Sequence, residues 1–105
     1  MKIKYDIDID NKAVLANLNR LTNLIYKLLP SREEGLNWEA PLSTIMEELG
    51  GMDRMLLDQH TVFFRLLCKL EGLFNLTEKQ DFQLFRGVIF ESLSLLDGLK
   101  KTCQD

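Results

Sequence analysis

The sequence contains little proline and little cysteine. Two prolines and two cysteines occur in 105 residues, and no segment is of low complexity. So little proline, in a chain without biased segments, argues against extensive disorder. Cys68 and Cys103 lie far apart, so they match neither a disulfide framework nor a metal-binding spacing. We expect both to be free thiols.

Long hydrophobic runs and a large net charge are absent as well. Each apolar run is only a few residues long, whereas a membrane-spanning helix needs about 20 residues. The first ten residues, MKIKYDIDID, carry acidic side chains where a signal peptide has its apolar core, so we expect a cytoplasmic protein. The net charge of −3 argues against a protein that binds DNA or a membrane surface, because both need clustered lysine and arginine.

What the chain does contain is an ordinary globular composition. Hydrophobic residues make up 46% of it and charged residues 28%, as in many soluble proteins. Its length suits one domain, residues 1–105. From the periodicity described below we predict an all-α fold, a bundle of three or four helices with a short extended N-terminal arm.

The arm is residues 1–10, the one segment with a strand-like pattern. Ile3, Tyr5, Ile7 and Ile9 alternate with charged residues, and a period of two is typical of a half-buried strand. No other segment offers a partner strand for its backbone. The arm therefore either packs as an extended segment on the helices or pairs with the same arm of another copy.

The first helix is predicted over residues 11–29. Asp10 or Asn11 suits the N-terminal cap, and Pro30 is expected to end the helix. Residues 31–37 then form an exposed connection. The apolar stripe of this helix comprises Val14, Leu18, Leu21, Ile25 and Leu28.

The second predicted helical segment is residues 38–74, with Asn37 as its cap and Pro41 in its first turn. The apolar stepping continues across Gly50–Gly51, which favours one long helix bent at the two glycines. The alternative is a break there, with Asp53 capping a new helix. The stripe contains Trp38, Leu42, Ile45, Leu49, Met52, Leu56, His60, Phe63, Leu67, Leu70 and Phe74.

The last helix is predicted over residues 78–103. Thr77 and Gln80 match the capping-box pattern S/T-x-x-E/Q at its start. Lys100 and Lys101 suit the negative end of its dipole.

Residues 52–74 and 78–103 carry unusually wide apolar arcs. On a helical wheel the first spans roughly 220° and the second about half the circle, against about 100° for a typical surface helix. Exposed apolar surface of this size marks an interface, so we expect a homodimer or a bundle with a bound helical partner. The alternative is a compact monomer whose central helix is buried on most sides. The interface residues that we predict are Phe63, Leu66, Leu70, Phe85, Ile89 and Phe90.

Phe90 differs from the other five because it lies on the narrow polar side of the last helix. A single exposed phenylalanine is common. Its small neighbours Gly87, Ser94 and Gly98, however, allow another element to approach closely.

No motif for catalysis, a cofactor or a metal is convincing. Asp6, Asp8 and Asp10 resemble half of a calcium loop, but Asn11 and Asn17 stand where that loop needs glycine and glutamate. Glu78 and Asp81 have the spacing of a carboxylate pair in a bundle metal site, but the start of a helix explains them. We expect no catalytic residue, no cofactor and no metal.

His60, the one histidine, is interpreted as a hydrogen-bonded residue of the core or of an interface. Catalysis would need a nucleophile or carboxylate directed at it, whereas Asp58 points to the opposite side of the same helix. A helix-turn-helix over residues 42–59 is also disfavoured. Its recognition helix would begin with Met52 and Asp53, which suit neither bases nor phosphates.

These patterns predict a non-enzymatic helical protein-protein interaction or assembly module that self-associates through apolar helix faces. The alternative is a dimeric nucleic-acid-associated accessory or regulatory factor, which would use Arg20, Lys27, Arg32 and Arg54.

Overall fold

The computed structural model describes residues 11–55 and 59–103, and the regular structure of these residues is entirely helical. The predicted all-α bundle is confirmed. The expected extended arm, residues 1–10, lies outside the described residues. The helices are α1 (Asn11–Tyr26), α2 (Leu28–Glu33), α3 (Glu39–Met55), α4 (His60–Gly72) and α5 (Phe82–Lys101), with 3-10 turns at Leu73–Asn75 and Lys79–Asp81.

The four long helices form a ring in chain order, α1, α3, α4 and α5, with each helix antiparallel to its neighbours. Between α1 and α3, for example, Asn17 contacts Met52 and Arg20 contacts Glu48, so the two helices run in opposite directions. The other three pairs of neighbouring helices, whose contact lines we call seams, are antiparallel as well. Their contacts are Asp53–His60 and Trp38–Phe74 between the α3 and α4 ends, Lys69–Glu91 between α4 and α5, and Tyr26–Phe90 between α1 and α5.

The first predicted helix breaks three residues earlier than expected. Proline has no N–H, and its ring clashes with the carbonyl four residues before it, which for Pro30 is that of Tyr26. The chain therefore leaves the α1 helix at Lys27 and resumes as α2, where Pro30 lies in the first turn. The prediction that Pro30 ends all helical structure is wrong, since α2 continues to Glu33.

The second helix begins as predicted, and the break at the two glycines, which was the alternative, does not occur. The Asn37 side-chain oxygen accepts hydrogen bonds from the backbone N–H groups of Glu39 and Ala40, at 3.1 and 3.2 Å. The helix α3 then continues through Gly50–Gly51 as far as Met55. Neither a bend nor a break is needed at the glycines, because a glycine costs a helix only about 1 kcal/mol.

The helix α4 is a separate element that begins at His60. It packs antiparallel to α3, so the predicted continuous helix over residues 38–74 is two helices of a hairpin. The apolar register consequently restarts in α4. Its fully buried residues are Phe63, Leu66 and Leu70, whereas Leu67 is only partly buried.

The capping box before the last helix lies one residue later in the sequence than predicted. The backbone N–H of Glu78 donates to the Asp81 carboxylate at 3.3 Å, which places the capping box at Glu78 and Asp81 instead of at Thr77 and Gln80. A single 3-10 turn then leads into α5 at Phe82.

The core lies between the four long helices. The predicted stripe of α1 and the first part of the α3 stripe are completely confirmed as core. Burying a leucine or phenylalanine stabilises the fold by about 1.5–3 kcal/mol, so these stripes dominate the stability. The buried residues of the first half are Val14, Leu18, Leu21, Ile25, Leu28, Trp38, Leu42, Ile45 and Leu49, and those of the second half include Phe63, Leu66, Leu70, Leu73, Phe85, Ile89, Leu96 and Leu99.

Candidate interaction surface

Five of the six predicted interface residues lie in the core of a single chain. Their side chains are completely inaccessible to solvent without a second copy. This corrects the prediction, because a residue that is fully buried in one chain has no surface left for a partner. The five residues are Phe63, Leu66, Leu70, Phe85 and Ile89.

The wide apolar arcs are explained by the ring of helices. Each of α4 and α5 packs against two neighbours as well as facing the centre, so each buries a broader arc than a surface helix does. The flanks of both arcs are partly buried against the core, for example at Val62, Phe74 and Val88. Arc width alone therefore does not require a dimer.

Phe90 is the predicted interface residue that remains on the surface. Its side chain is 41% exposed and meets the 48% exposed ring of Tyr26 from α1, with ring centroids 6.3 Å apart in an edge-to-face arrangement. The Arg86 guanidinium lies 4.9 Å from the centroid of the Phe90 ring. The outward side of the α1–α5 seam thus presents two fixed aromatic rings.

The outward side of α5 also carries apolar and small residues among its charged ones. Leu84 is 63% exposed, and Gly87, Ser94 and Gly98 are also exposed. A side-chain carbon added at Gly87 or Gly98 would meet no atom within 4 Å, so the surface there is flat and open. We call these five residues, Leu84, Gly87, Phe90, Ser94 and Gly98, the α5 outer face.

Two ion pairs also lie on this side of α5. Glu91 receives a 2.6 Å hydrogen bond from Lys69 of α4, and Asp97 pairs with Lys101 at 3.4 Å within α5. Exposed pairs of this kind are worth about 0–1 kcal/mol each. Charged side chains therefore lie among the apolar and small residues of this face.

Two other large exposed apolar residues, Phe64 and Leu36, lie elsewhere. Phe64 is on the outward side of α4, where its ring lies 6.1 Å from that of His60. Neither is grouped with other large exposed apolar side chains among the described residues, and isolated exposed hydrophobic residues are normal.

His60 is hydrogen-bonded, as predicted, but it is not a core residue; its place in an interface stays a prediction. Its side chain is mostly exposed, and its Nδ1 lies 2.7 Å from the Asp53 Oδ1. The pair links the end of α3 to the start of α4, because these ends meet in the hairpin. A structural role for His60 stays a prediction.

Arg32 has a role that sequence reasoning missed. Its Nε and Nη2 donate to the backbone carbonyl of Leu76 at 3.0 and 2.7 Å, and Nη2 also donates to that of Glu78 at 2.7 Å. Its guanidinium lies 4.8 Å from the centroid of the Phe85 ring and 5.5 Å from that of Phe82. Arg32 thus links α2 to the connection between α4 and α5 through these hydrogen bonds. Nothing in the spacing of the sequence marks a contact over this distance.

The same end of the bundle contains an open cleft between the α2–α3 and α4–α5 connections. Leu36, Trp38 and Phe82 contribute apolar surface to it. Its charged groups balance, since the lining includes two cations and two anions: Arg32, Lys79, Glu33 and Glu39. The cleft therefore shows no preference for a ligand of either charge.

The four basic residues of the nucleic-acid alternative do not form a patch. Arg20 bonds to Asn17 and Glu48, each at 2.7 Å, and Arg32 is engaged by backbone carbonyls. Lys27 follows α1, and Arg54 lies at the end of the antiparallel α3, so these two lie at opposite ends of the bundle. Phosphate binding needs cations that converge.

Residues 11–55 and 59–103 contain neither a cluster of metal ligands nor a membrane-spanning helix. No three His, Cys, Asp or Glu side chains in this part of the chain are grouped as metal ligands would be. Its helices include none with the length and hydrophobicity of a membrane-spanning segment.

No family model, curated protein or solved structure matches the chain.

Proposed function

We propose that the protein is a non-enzymatic interaction module that binds a second copy of itself or a helical protein partner through the α5 outer face. The observation that carries the proposal is the exposed Phe90–Tyr26 pair beside the open surface at Gly87 and Gly98. Aromatic rings held in place by neighbours lose little entropy on binding and often supply most of the interface energy.

The size of the face predicts weak, reversible association. A helix of 20 residues is about 30 Å long and about 10 Å wide, so its outer side offers roughly 300 Å². A standard stable interface buries about 800 Å² on each partner. Association through α5 alone should therefore depend on protein concentration, and a partner that also reached Tyr26 would bind more tightly.

The proposal includes a cytoplasmic location and no catalytic role. The exposed thiol of Cys68 suits a reducing compartment, where cysteines stay free. The nucleic-acid alternative has less support, because two of its four basic residues already bind groups of their own chain.

Light scattering over a wide range of protein concentration tests the proposal. The expected result is a mass that rises reversibly from that of one 12.2 kDa chain towards twice that value. The variant Phe90→Ser should shift this rise to higher concentration. Phe64→Ser is the matched control, since Phe64 is also exposed but lies on α4. A mass that never exceeds one chain, or an equal effect of both variants, would contradict self-association through α5.

A further inference from the structure

We infer that the partner of the α5 outer face is a second copy of this chain, whose α5 runs antiparallel to the first and crosses it at the level of Ser92. The inference rests on the proposed function, because it uses the same face, and it adds the identity, direction and register of the partner. The charged residues among the apolar and small ones carry it.

Arg86 and Asp97 lie on the same side of α5, and both are exposed. They are 11 residues apart in the sequence, which at 100° per residue comes within about 20° of three full turns and advances about 16 Å along the helix. In an antiparallel pair related by a two-fold axis, this side of one α5 adjoins the same side of the other. Arg86 of each copy then lies level with Asp97 of the other, so the opposite charges meet twice.

Both charges are available for this contact. The Arg86 guanidinium lies 4.9 Å from the centroid of the Phe90 ring, and Arg86 forms no ion pair among the described residues. Asp97 meets Lys101 at 3.4 Å, and these two side chains are 62% and 73% exposed. An exposed pair of this kind is weak, so Asp97 can accept a hydrogen bond from a second arginine.

The sizes of the other residues fit the same register. Phe90 and Ser94 lie two residues on either side of Ser92, so the large ring of each copy meets a small side chain of the other. Gly87 and Gly98 lie five and six residues from Ser92 and are level with each other as well. A side-chain carbon at either glycine would meet no atom within 4 Å, so the two helices can approach closely there.

A parallel pair of α5 helices would lose this match. Each residue would then lie beside the same residue of the other copy, so Arg86 would face Arg86 and Phe90 would face Phe90. Like charges placed together across an interface cost free energy. The antiparallel direction is therefore the one that the charges favour.

The remaining charged residues are compatible with the antiparallel pair. Lys101 lies level with Gln83, which is neutral. Glu91 lies near the two-fold axis on the other side of the face, where the two copies bring their Glu91 side chains close. Each Glu91 accepts a 2.6 Å hydrogen bond from Lys69 of its own chain, so the two carboxylates are accompanied by two ammonium groups.

Reversing one charge at a time tests the pairing of Arg86 with Asp97. Arg86→Asp or Asp97→Arg replaces both attractive contacts by repulsive ones, so each variant should raise the dissociation constant of the dimer about tenfold in light scattering. An equimolar mixture of the two variants restores opposite charges at both contacts. The mixture should therefore dimerise about as tightly as the unchanged chain.

Arg65→Asp is the matched control, because it makes the same change of charge on the exposed side of α4. It should leave the dissociation constant unchanged. Equal weakening by Arg65→Asp and Arg86→Asp would overturn the inference. A mixture that dimerises no more tightly than either variant alone would overturn it too.

Distances between nitroxide labels test the direction and register. Labels are attached to Gln83→Cys or to Glu91→Cys in a Cys68→Ser background, where the remaining cysteine, Cys103, is buried. In the antiparallel dimer the two labels at position 83 should be about 28 Å apart, and those at position 91 within about 15 Å. Similar short distances at both positions would show a parallel pair and overturn the inference.

These measurements separate the inference from the proposed function. A dimer whose label distances differ from the predicted ones overturns the inference and leaves self-association in place. A mass that stays at that of one chain at every concentration overturns the inference as well, and it leaves a helical protein as the partner in the proposed function.

Discussion

The inner and outer sides of α5 show two uses of apolar residues in one helix. On the inner side Phe85 and Ile89 are fully buried against the other helices. On the outer side Leu84 and Phe90 keep about half of their surface in contact with solvent. The difference shows that the width of an apolar arc does not reveal which residues a partner can contact. Position in the ring of helices decides this.

Replacing one phenylalanine on each side of α5 should give the largest contrast. Phe85→Ala removes a fully buried ring and should lower the free energy of unfolding by about 3–5 kcal/mol. Phe90→Ala removes a ring that is only partly buried and should cost about 1 kcal/mol. Urea denaturation measures both. Similar losses of unfolding free energy for the two variants would contradict the distinction between the inner and outer sides of α5.

The next largest effect is expected from Arg32, which packs against Phe85. Arg32→Ala removes three hydrogen bonds to backbone carbonyls and a contact with two aromatic rings. We expect a loss of about 2 kcal/mol, since bonds from a charged donor contribute about 1.5–3 kcal/mol. Lys27→Ala serves as the control, because Lys27 is an exposed cation nearby. Equal stability of the two variants in urea would contradict the role of Arg32 in linking α2 to the connection between α4 and α5.

Two serines of α5 give a second comparison of a buried and an exposed position, with smaller expected changes in stability. The Ser92 hydroxyl is buried and finds no hydrogen-bond partner among the described residues, whereas Ser94 is exposed. Ser92→Ala should stabilise the protein by about 1 kcal/mol, because it removes an unpaired buried polar group. Ser94→Ala should change stability by only about 0.5 kcal/mol. A loss of stability in the Ser92 variant would show that its hydroxyl is bonded.

A similarly small change in stability is expected at Gly87. An alanine side chain there would meet no atom within 4 Å, so Gly87→Ala should stabilise α5 by about 0.5–1 kcal/mol through helix propensity. Any self-association should weaken, because the added methyl group raises the flat surface. Thermal unfolding and light scattering on the same sample report the two effects. A variant that is less stable would mean that the glycine is required for the conformation of α5.

The sequence predicts the core of this protein better than its surface. The stripes at Val14–Leu28 and Trp38–Leu49 are correct because helical periodicity reports which side of a helix is apolar. Five of the six predicted interface residues are buried instead of exposed, because periodicity does not report how many neighbours a helix has. Phe90 lies on the polar side of the wheel, and it is the predicted interface residue that remains exposed.

The helix boundaries show a second limit of prediction from the sequence. The break at Lys27 follows from the clash between the Pro30 ring and the carbonyl of Tyr26, four residues earlier. The end of α3 beyond Gly50–Gly51 could not be anticipated from apolar stepping, because the stepping continues across two separate helices. Arg32 could not be assigned either, since its bonds join residues far apart in the chain.

The central claim is that α5 carries the interaction surface, and concentration-dependent amide spectra of the full-length protein test it most directly. We predict that chemical shifts of Gly87, Phe90, Ser94 and Gly98 move as the protein is concentrated, while those of exposed residues on α3 stay constant. Shifts that are independent of concentration, or that move around Phe64 on α4 instead, would contradict the claim.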